Sequence, residues 1–214
     1  MQNFLVTGTD TDAGKTYVSS LLIRLMRQQG IDVVGFKPMA CGSREDPLAL
    51  RAASGLENLT LDRINPVFLK NATSPYVAAR LENTEVNLES IQVAYERLKE
   101  EHDYVLVEGV GGWEVPIAPH YLFSDFATEM QLPVVLVIGN KLGVLNHAIL
   151  SLHAIQARGL RCAGVTINNM SDEWDTASVT NRGILEEFID VPVLGELIHG
   201  QDYLDLDPLL EALK

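Results

Sequence analysis

The sequence predicts an α/β fold in which a mostly parallel central sheet is covered by helices on both faces. Three observations carry this. Strand-like runs alternate with helical patterns along the whole chain, the order that parallel sheets with crossover helices produce. The strand-like runs are continuously apolar rather than alternating, as strands covered on both faces should be. Charged or amide residues follow most of these runs, as expected where a ligand site forms at the carboxyl ends of parallel strands. At 214 residues, the chain suits one domain spanning 1–214 and is long enough to bury a substantial core.

The first run, 2–7, leads directly into Gly8-Thr9-Asp10-Thr11-Asp12-Ala13-Gly14-Lys15-Thr16. A helix over 15–29 follows, with Val18, Leu21, Leu22, Leu25 and Met26 on one face. Strand, glycine-containing loop, Gly-Lys-Thr and helix together are the context of a phosphate-binding loop. Unpaired amides and the macrodipole at a helix N-terminus favour an anion. Lys15 can reach the outer phosphates, and the Thr16 hydroxyl can ligate Mg²⁺. One position departs from G-x-x-x-x-G-K-[ST]: Thr9 stands where the first glycine would fall, with Gly8 one residue earlier. A turn rich in Thr, Asp and Gly that merely caps a helix is the plainer alternative.

The run 32–36 ends in Lys37-Pro38. Lys37 is either a solvated strand-end lysine or a cation on the phosphate rim that stabilises charge developing in transfer. Helices are expected at 46–54 and 74–81 inside 40–86, the least regular stretch, which reads as a subdomain or lid. Asp46 opens the first of them, with Pro47 in its first turn, either as a simple N-cap or as a carboxylate facing a metal. A helix at 87–101 precedes the run 103–107, which ends in Glu108-Gly109-Val110-Gly111. A carboxylate at such a point commonly holds or orients Mg²⁺ in phosphate-loop proteins; a solvent-facing loop glutamate is the alternative. Helix 123–130 and strand 133–138 come next, ending in Gly139-Asn140-Lys141-Leu142-Gly143. A helix over 143–158 offers the amides of Gly143, Val144, Leu145 and Asn146 as a second anion site suited to a carboxylate, or is normally capped. The run 161–167 ends in Asn168-Asn169; Asn168 either reads a base or forms an Asx turn. Helix 174–188, strand 192–197 and helix 205–213 complete the pattern.

Sixteen Lys and Arg against 29 Asp and Glu give a net charge of -13. Nonspecific nucleic-acid binding is thereby disfavoured, and lysines beside the loop become more informative. Cys41 and Cys162 lack metal-type spacing and fit free thiols in a reducing cytoplasm. The five histidines show no ligand spacing, and no Ser/His/Asp arrangement stands out. The first residues enter a strand without a secretory signal, and nothing approaches the roughly 18 apolar residues of a membrane span.

GTDTDAGKT at 8–16, GFKPMACGS at 35–43, ATSPY at 72–76, LVEGVGGW at 106–113, LPVVLVIGNKLGVLNHA at 132–148 and LGE at 194–196 occur in an order that resembles dethiobiotin synthetase over essentially the whole chain. That resemblance implies a P-loop NTPase and a ligase forming C–N bonds. Its substrates would be 7,8-diaminononanoate, CO2 and ATP, with Mg²⁺, and its product dethiobiotin in biotin biosynthesis. It also implies Thr16, Asp46 and Glu108 as the Mg²⁺ group, and Lys15 and Lys37, with Thr11 beside them, as catalytic. Residues Asp12, Ala13, Gly14, Lys15, Thr16 and Tyr17 would wrap the phosphates, joined at the nucleotide by Gly109, Val110, Gly111, Asn168 and Asn169. Cys41 would touch substrate, and Gly143–Asn146 would receive its carboxylate from the neighbouring subunit of a homodimer. Cys41 replaces the family's usual serine, Asp12 its glutamate, and Leu197-Ile198-His199 its following proline. An amidotransferase-type cobyrinic acid synthase would need a glutaminase domain for which 214 residues leave no room. A partition or septum-site ATPase would carry a lysine early in the loop, where 9–13 have none.

Overall fold

The computed structural model describes residues 2–214. The first half runs β1 (Phe4–Gly8), α1 (Lys15–Gln28), β2 (Val33–Phe36), β3 (Met39–Cys41), α2 (Glu45–Ala53), α3 (Leu61–Ile64), β4 (Val67–Leu69), α4 (Pro75–Leu81), α5 (Leu88–Glu101) and β5 (Tyr104–Glu108). The second runs β6 (Pro116–Ala118), β7 (Tyr121–Leu122), α6 (Phe123–Met130), β8 (Val134–Gly139), α7 (Val144–Ala157), β9 (Cys162–Asn168), α8 (Thr176–Phe188), β10 (Val193–Leu197) and α9 (Asp207–Ala212). Six strands form one sheet in the order β10-β9-β8-β1-β5-β2, with every neighbouring pair parallel.

The uninterrupted apolar runs are explained by two cores. Leu5, Val34, Val105, Val107, Leu136 and Ile167 point to one face, where they pack with side chains of α4 to α8. Phe4, Val6, Val33, Leu106, Val135 and Val137 point to the other, against α1 and α9. Successive strand residues thus alternate between two apolar environments, and few positions are polar, Thr7 in β1 and Thr166 in β9 among them. Gly35 brings the helices close on the second face: an added Cβ would lie 2.8 Å from Ile23 Cδ1 and 2.8 Å from Leu50 Cβ. This draws α2, which carries Asp46, against α1.

All six expected sheet strands are present, with ends shifted by one or two residues. The structure adds α3 and two small ladders, parallel β3–β4 and antiparallel β6–β7. Strands of two or three residues carry too little periodicity to be read in advance. The stretch 40–86 is continuous with the first core, into which Ile64, Val67 and Leu69 are buried. Among the described residues, no helix is long and apolar enough to cross a membrane.

Register positions the site. β1 lies between β8 and β5, so the chain diverges to both sides of it, the arrangement that opens a crevice at the strand ends. Val6 pairs with Glu108, which sets that carboxylate beside the start of the phosphate loop. Phe36 pairs with Val107, which brings Lys37 and Glu108 together one residue further on.

Candidate active site

The loop after β1 closes tightly on its neighbours. Gly14 is the N-cap of α1 at φ 87°, a conformation that side chains with Cβ rarely adopt. An added Cβ there would also lie 2.0 Å from Asn168 Nδ2. Asn168, buried at the end of β9, donates to the Ala13 carbonyl at 3.1 Å. At the start of the loop the Thr9 amide donates to the Val137 carbonyl (2.9 Å), and the Gly139 amide donates to the Thr9 hydroxyl (3.4 Å). Thr9, which breaks the expected glycine spacing, therefore ties the loop to β8. Among the described residues, the amides of Gly14, Lys15 and Thr16 donate to no protein acceptor. They are the orphan donors that an anion satisfies.

Lys15 is buried, and its ammonium donates to the Asp10 and Thr11 carbonyls, each at 2.9 Å. Burial, followed by the charge of Lys37, pulls its pKa down to about 8. Beneath it lies a cluster of opposed charges. Glu108 is fully buried, and its Oε1 accepts from Thr16 Oγ1 (2.8 Å) and Lys37 Nζ (2.6 Å). Lys37 Nζ also donates to the Gly109 carbonyl (3.0 Å) and pairs with Asp46 Oδ2 (2.8 Å). Burial opposes the Lys37 charge, but Glu108 and then Asp46 outweigh it and hold its pKa above the ordinary value. Burial likewise raises Asp46, and the Lys37 ammonium overrides this, leaving the carboxyl below its usual range.

A cavity of about 690 Å³ opens over this cluster. Among its lining residues are Thr11, Asp12, Gly14, Lys15, Thr16 and Tyr17 from the loop and α1, with Lys37, Cys41, Asp46, Val110 and Gly111. The structure thus joins three separate strand ends in one space. Burial, then Glu82, pushes the Cys41 thiol up to about 11, so it meets the cavity as a neutral group. Ala13 and Gly109 lie behind the lining. Tyr17 is exposed, and its hydroxyl donates to the Gln201 carbonyl. Asn169 Nδ2 donates to Glu196 Oε1 (3.1 Å) and the Leu197 carbonyl (3.0 Å). Gly143, Val144, Leu145 and Asn146 lie outside this chain's cavity. Gly143 caps α7 at φ 89°, and the Val144 amide donates to the Lys141 carbonyl at 3.2 Å, so of the four amides expected to be free at this helix start that of Val144 is already engaged by the turn. Ser43, Glu45, Thr73 and Ser74 also line the space. No role was assigned to them, although Ser43 ends the GFKPMACGS segment and Thr73 and Ser74 fall in the ATSPY segment.

The residues present suit a Mg²⁺ ion. Glu108 Oε2 is buried without a partner, and the Lys37 ammonium sits where a cation balances Glu108 and Asp46. Among the described residues there is no group of three or more His, Cys, Asp or Glu arranged to hold a metal. Two carboxylates and a hydroxyl are a set that Mg²⁺ accepts when phosphate oxygens and water complete its shell.

A pH dependence follows from Lys15. Its buried ammonium loses its proton near pH 8, so triphosphate affinity should weaken as pH rises through that value, approaching about tenfold per unit at most. Lys15→Arg keeps its charge and should flatten the profile. Calorimetric titration from about pH 7 to 9 checks both; a flat profile in the unaltered protein would be the contrary result.

Comparison with known proteins agrees with this geometry. A family model described as an AAA domain matches residues 2–202. An ATP-dependent dethiobiotin synthetase of Akkermansia muciniphila is 62% identical over 213 residues, covering 100% of both chains. A second, from Aromatoleum aromaticum, is 40% identical and covers 92% of this chain and 90% of its own. A ParA family ATPase from Chlorobium tepidum superposes with a TM-score of 0.58 at 14% identity, covering 100% of this chain and 91% of that one, a likeness of fold alone. Both full-length relatives carry the same name, and by that kinship this chain belongs to the ATP-dependent dethiobiotin synthetase family.

Proposed function

We propose that this chain, acting as one unit over 1–214, is a dethiobiotin synthetase that carboxylates 7,8-diaminononanoate with CO2 and closes the ring at the expense of ATP. The observation that carries this reading is the placement of two buried lysines, Lys15 and Lys37, in one cavity with the orphan amides of Gly14, Lys15 and Thr16. A hydrolase of nucleotides needs the loop. The space beyond it, bounded by Cys41 and Thr73, is room for a second substrate beside the terminal phosphate.

The chemistry has three balanced steps. An amine of the substrate adds to CO2 and loses a proton, giving a carbamate. A carbamate oxygen bonds to the γ-phosphorus as the bond to ADP breaks, giving a carbamic-phosphoric anhydride. The second amine attacks the carbonyl carbon, and phosphate leaves. The residues position two anions against one another and neutralise them, which is where most of the rate enhancement in such transfers comes from. The amides of residues 14–16 hold the triphosphate, with Asp12, Ala13 and Tyr17 completing the wrap. Lys15 and Lys37, with the Thr11 carbonyl and hydroxyl at hand, flank the oxygen in transfer. Thr16, Asp46 and Glu108 would hold Mg²⁺, which supplies positive charge to the phosphate oxygens. Val110 and Gly111 line the phosphate side, with Gly109 behind them. Asn168 keeps its Oδ1 without a donor among the described residues, an acceptor for the adenine amino group, with Asn169 behind it. Cys41 faces the substrate.

The same reading makes the enzyme a cytoplasmic homodimer. Gly143–Asn146 lie outside their own cavity, Leu142 is 81% exposed and Leu150 on α7 is 59% exposed. An apolar helix edge of this kind suits a second copy that receives the carboxylate-binding amides.

Incubation of the protein with diamine, bicarbonate, ATP and Mg²⁺ should yield dethiobiotin by mass spectrometry, with phosphate release needing all four. Equal release without the diamine would refute the reading. Lys37→Ala should lower kcat by about 100-fold or more while nucleotide affinity stays within a few-fold, as for one lost electrostatic stabiliser; steady-state kinetics beside equilibrium binding separate the two.

A further inference from the structure

Away from the cavity, three buried asparagines form an unbroken chain of amides across the carboxyl edge of the sheet. We infer that Asn140 and Asn181 are positioning residues of the reaction, locking the turn that starts α7 to the end of β9. This rests on the synthetase reading, in which the start of α7 receives the substrate carboxylate and the end of β9 meets the nucleotide.

Asn140 follows β8, Asn169 follows β9 and Asn181 lies on α8, and all three are at most 8% exposed. Asn181 Nδ2 donates to the Lys141 carbonyl (3.2 Å) and to Asn140 Oδ1 (2.8 Å). Asn140 Nδ2 donates to Asn169 Oδ1 (2.7 Å) and to the Ser178 carbonyl (2.9 Å). Asn169 Nδ2 passes the chain to Glu196 and Leu197 at the end of β10. Both hydrogens of every amide are therefore used. In the backbone, the Asn140 amide donates to the Asn168 carbonyl at 2.8 Å, and Asn168 in turn holds Ala13 of the phosphate loop.

Ordinary core packing does not explain these residues, because apolar side chains of similar size would fill the space without unpaired groups. What the amides add is direction. The 141–143 turn is exposed, and its other side-chain tether is the half-exposed Lys141–Asp10 pair at 3.3 Å, which solvent weakens. Asn181 is its buried anchor. Asn140 is the joint, touching both the anchor of the turn and the strand end that faces the nucleotide.

The test is the dependence of dethiobiotin formation on each substrate. Asn181→Ala and the same-sized Asn181→Asp should raise KM for the diamine by about tenfold or more with KM for ATP changed by less than about threefold, because the turn then keeps only the local Val144 amide and the solvent-exposed Asp10 pair to hold it. Asn140→Ala should raise both KM values, with kcat at saturation near that of the unaltered enzyme. Wild-type KM values in both Asn181 variants, with loss only of thermal stability or active fraction, would overturn the inference, whether or not Asn140→Ala folds. Failure of the unaltered protein to make dethiobiotin would instead overturn the synthetase reading, and this inference with it.

Discussion

The buried contact between Lys37 and Glu108, 2.6 Å long, is the constraint around which the rest is arranged. A carboxylate with no exposure at the end of β5 cannot remain charged there without a cation. Lys37 supplies one, and Asp46 shares it. Removing either partner of such a pair typically costs about 3–5 kcal/mol, because the other is left buried and unpaired. The pair therefore fixes β2 against β5 and α2 against both. It also leaves Glu108 Oε2 unpartnered, while Oε1 takes the Thr16 hydroxyl of the phosphate loop. A site built this way holds its charges ready, so the arriving triphosphate meets an organised field rather than water that must be reoriented.

The overall charge of -13 runs against anion binding, and the local design answers it. The donors are backbone amides and two lysines held in a low-dielectric pocket, where each interaction is worth more than at the surface. Lys15 shows the cost of this arrangement. Its ammonium donates to the Asp10 and Thr11 carbonyls, and burial depresses its pKa.

Much of this was legible in the sequence, for definite reasons. The six sheet strands stand out because nearly all of them are buried on both faces, so few polar residues interrupt them, Thr7 and Thr166 among those few. The phosphate loop stands out because its spacing is local: loop, Gly-Lys-Thr and helix are adjacent. What stayed hidden depends on register. Lys37 and Glu108 are 71 positions apart, and only the pairing of β2 with β5 makes them neighbours. The role of Thr9 emerged only from its contact with β8, although its position had already marked it as unusual. Asn140 and Asn169 showed only as amides at strand ends and Asn181 not at all, because the three sit in different parts of the chain with no fixed spacing to mark them as one network. Strands of two or three residues, such as β3 and β7, are too short for period to separate them from loop.

In the proposed reaction the loop aims a triphosphate at a carboxylated amine, so that an oxygen first carried by CO2 ends on phosphorus. Turnover with ¹⁸O-labelled bicarbonate in ordinary water, with mass analysis of the phosphate released, tests this most directly. Transfer through the carbamate requires one heavy oxygen in each phosphate formed. Phosphate whose new oxygen comes from solvent would contradict the claim and leave the protein a simple nucleotide hydrolase.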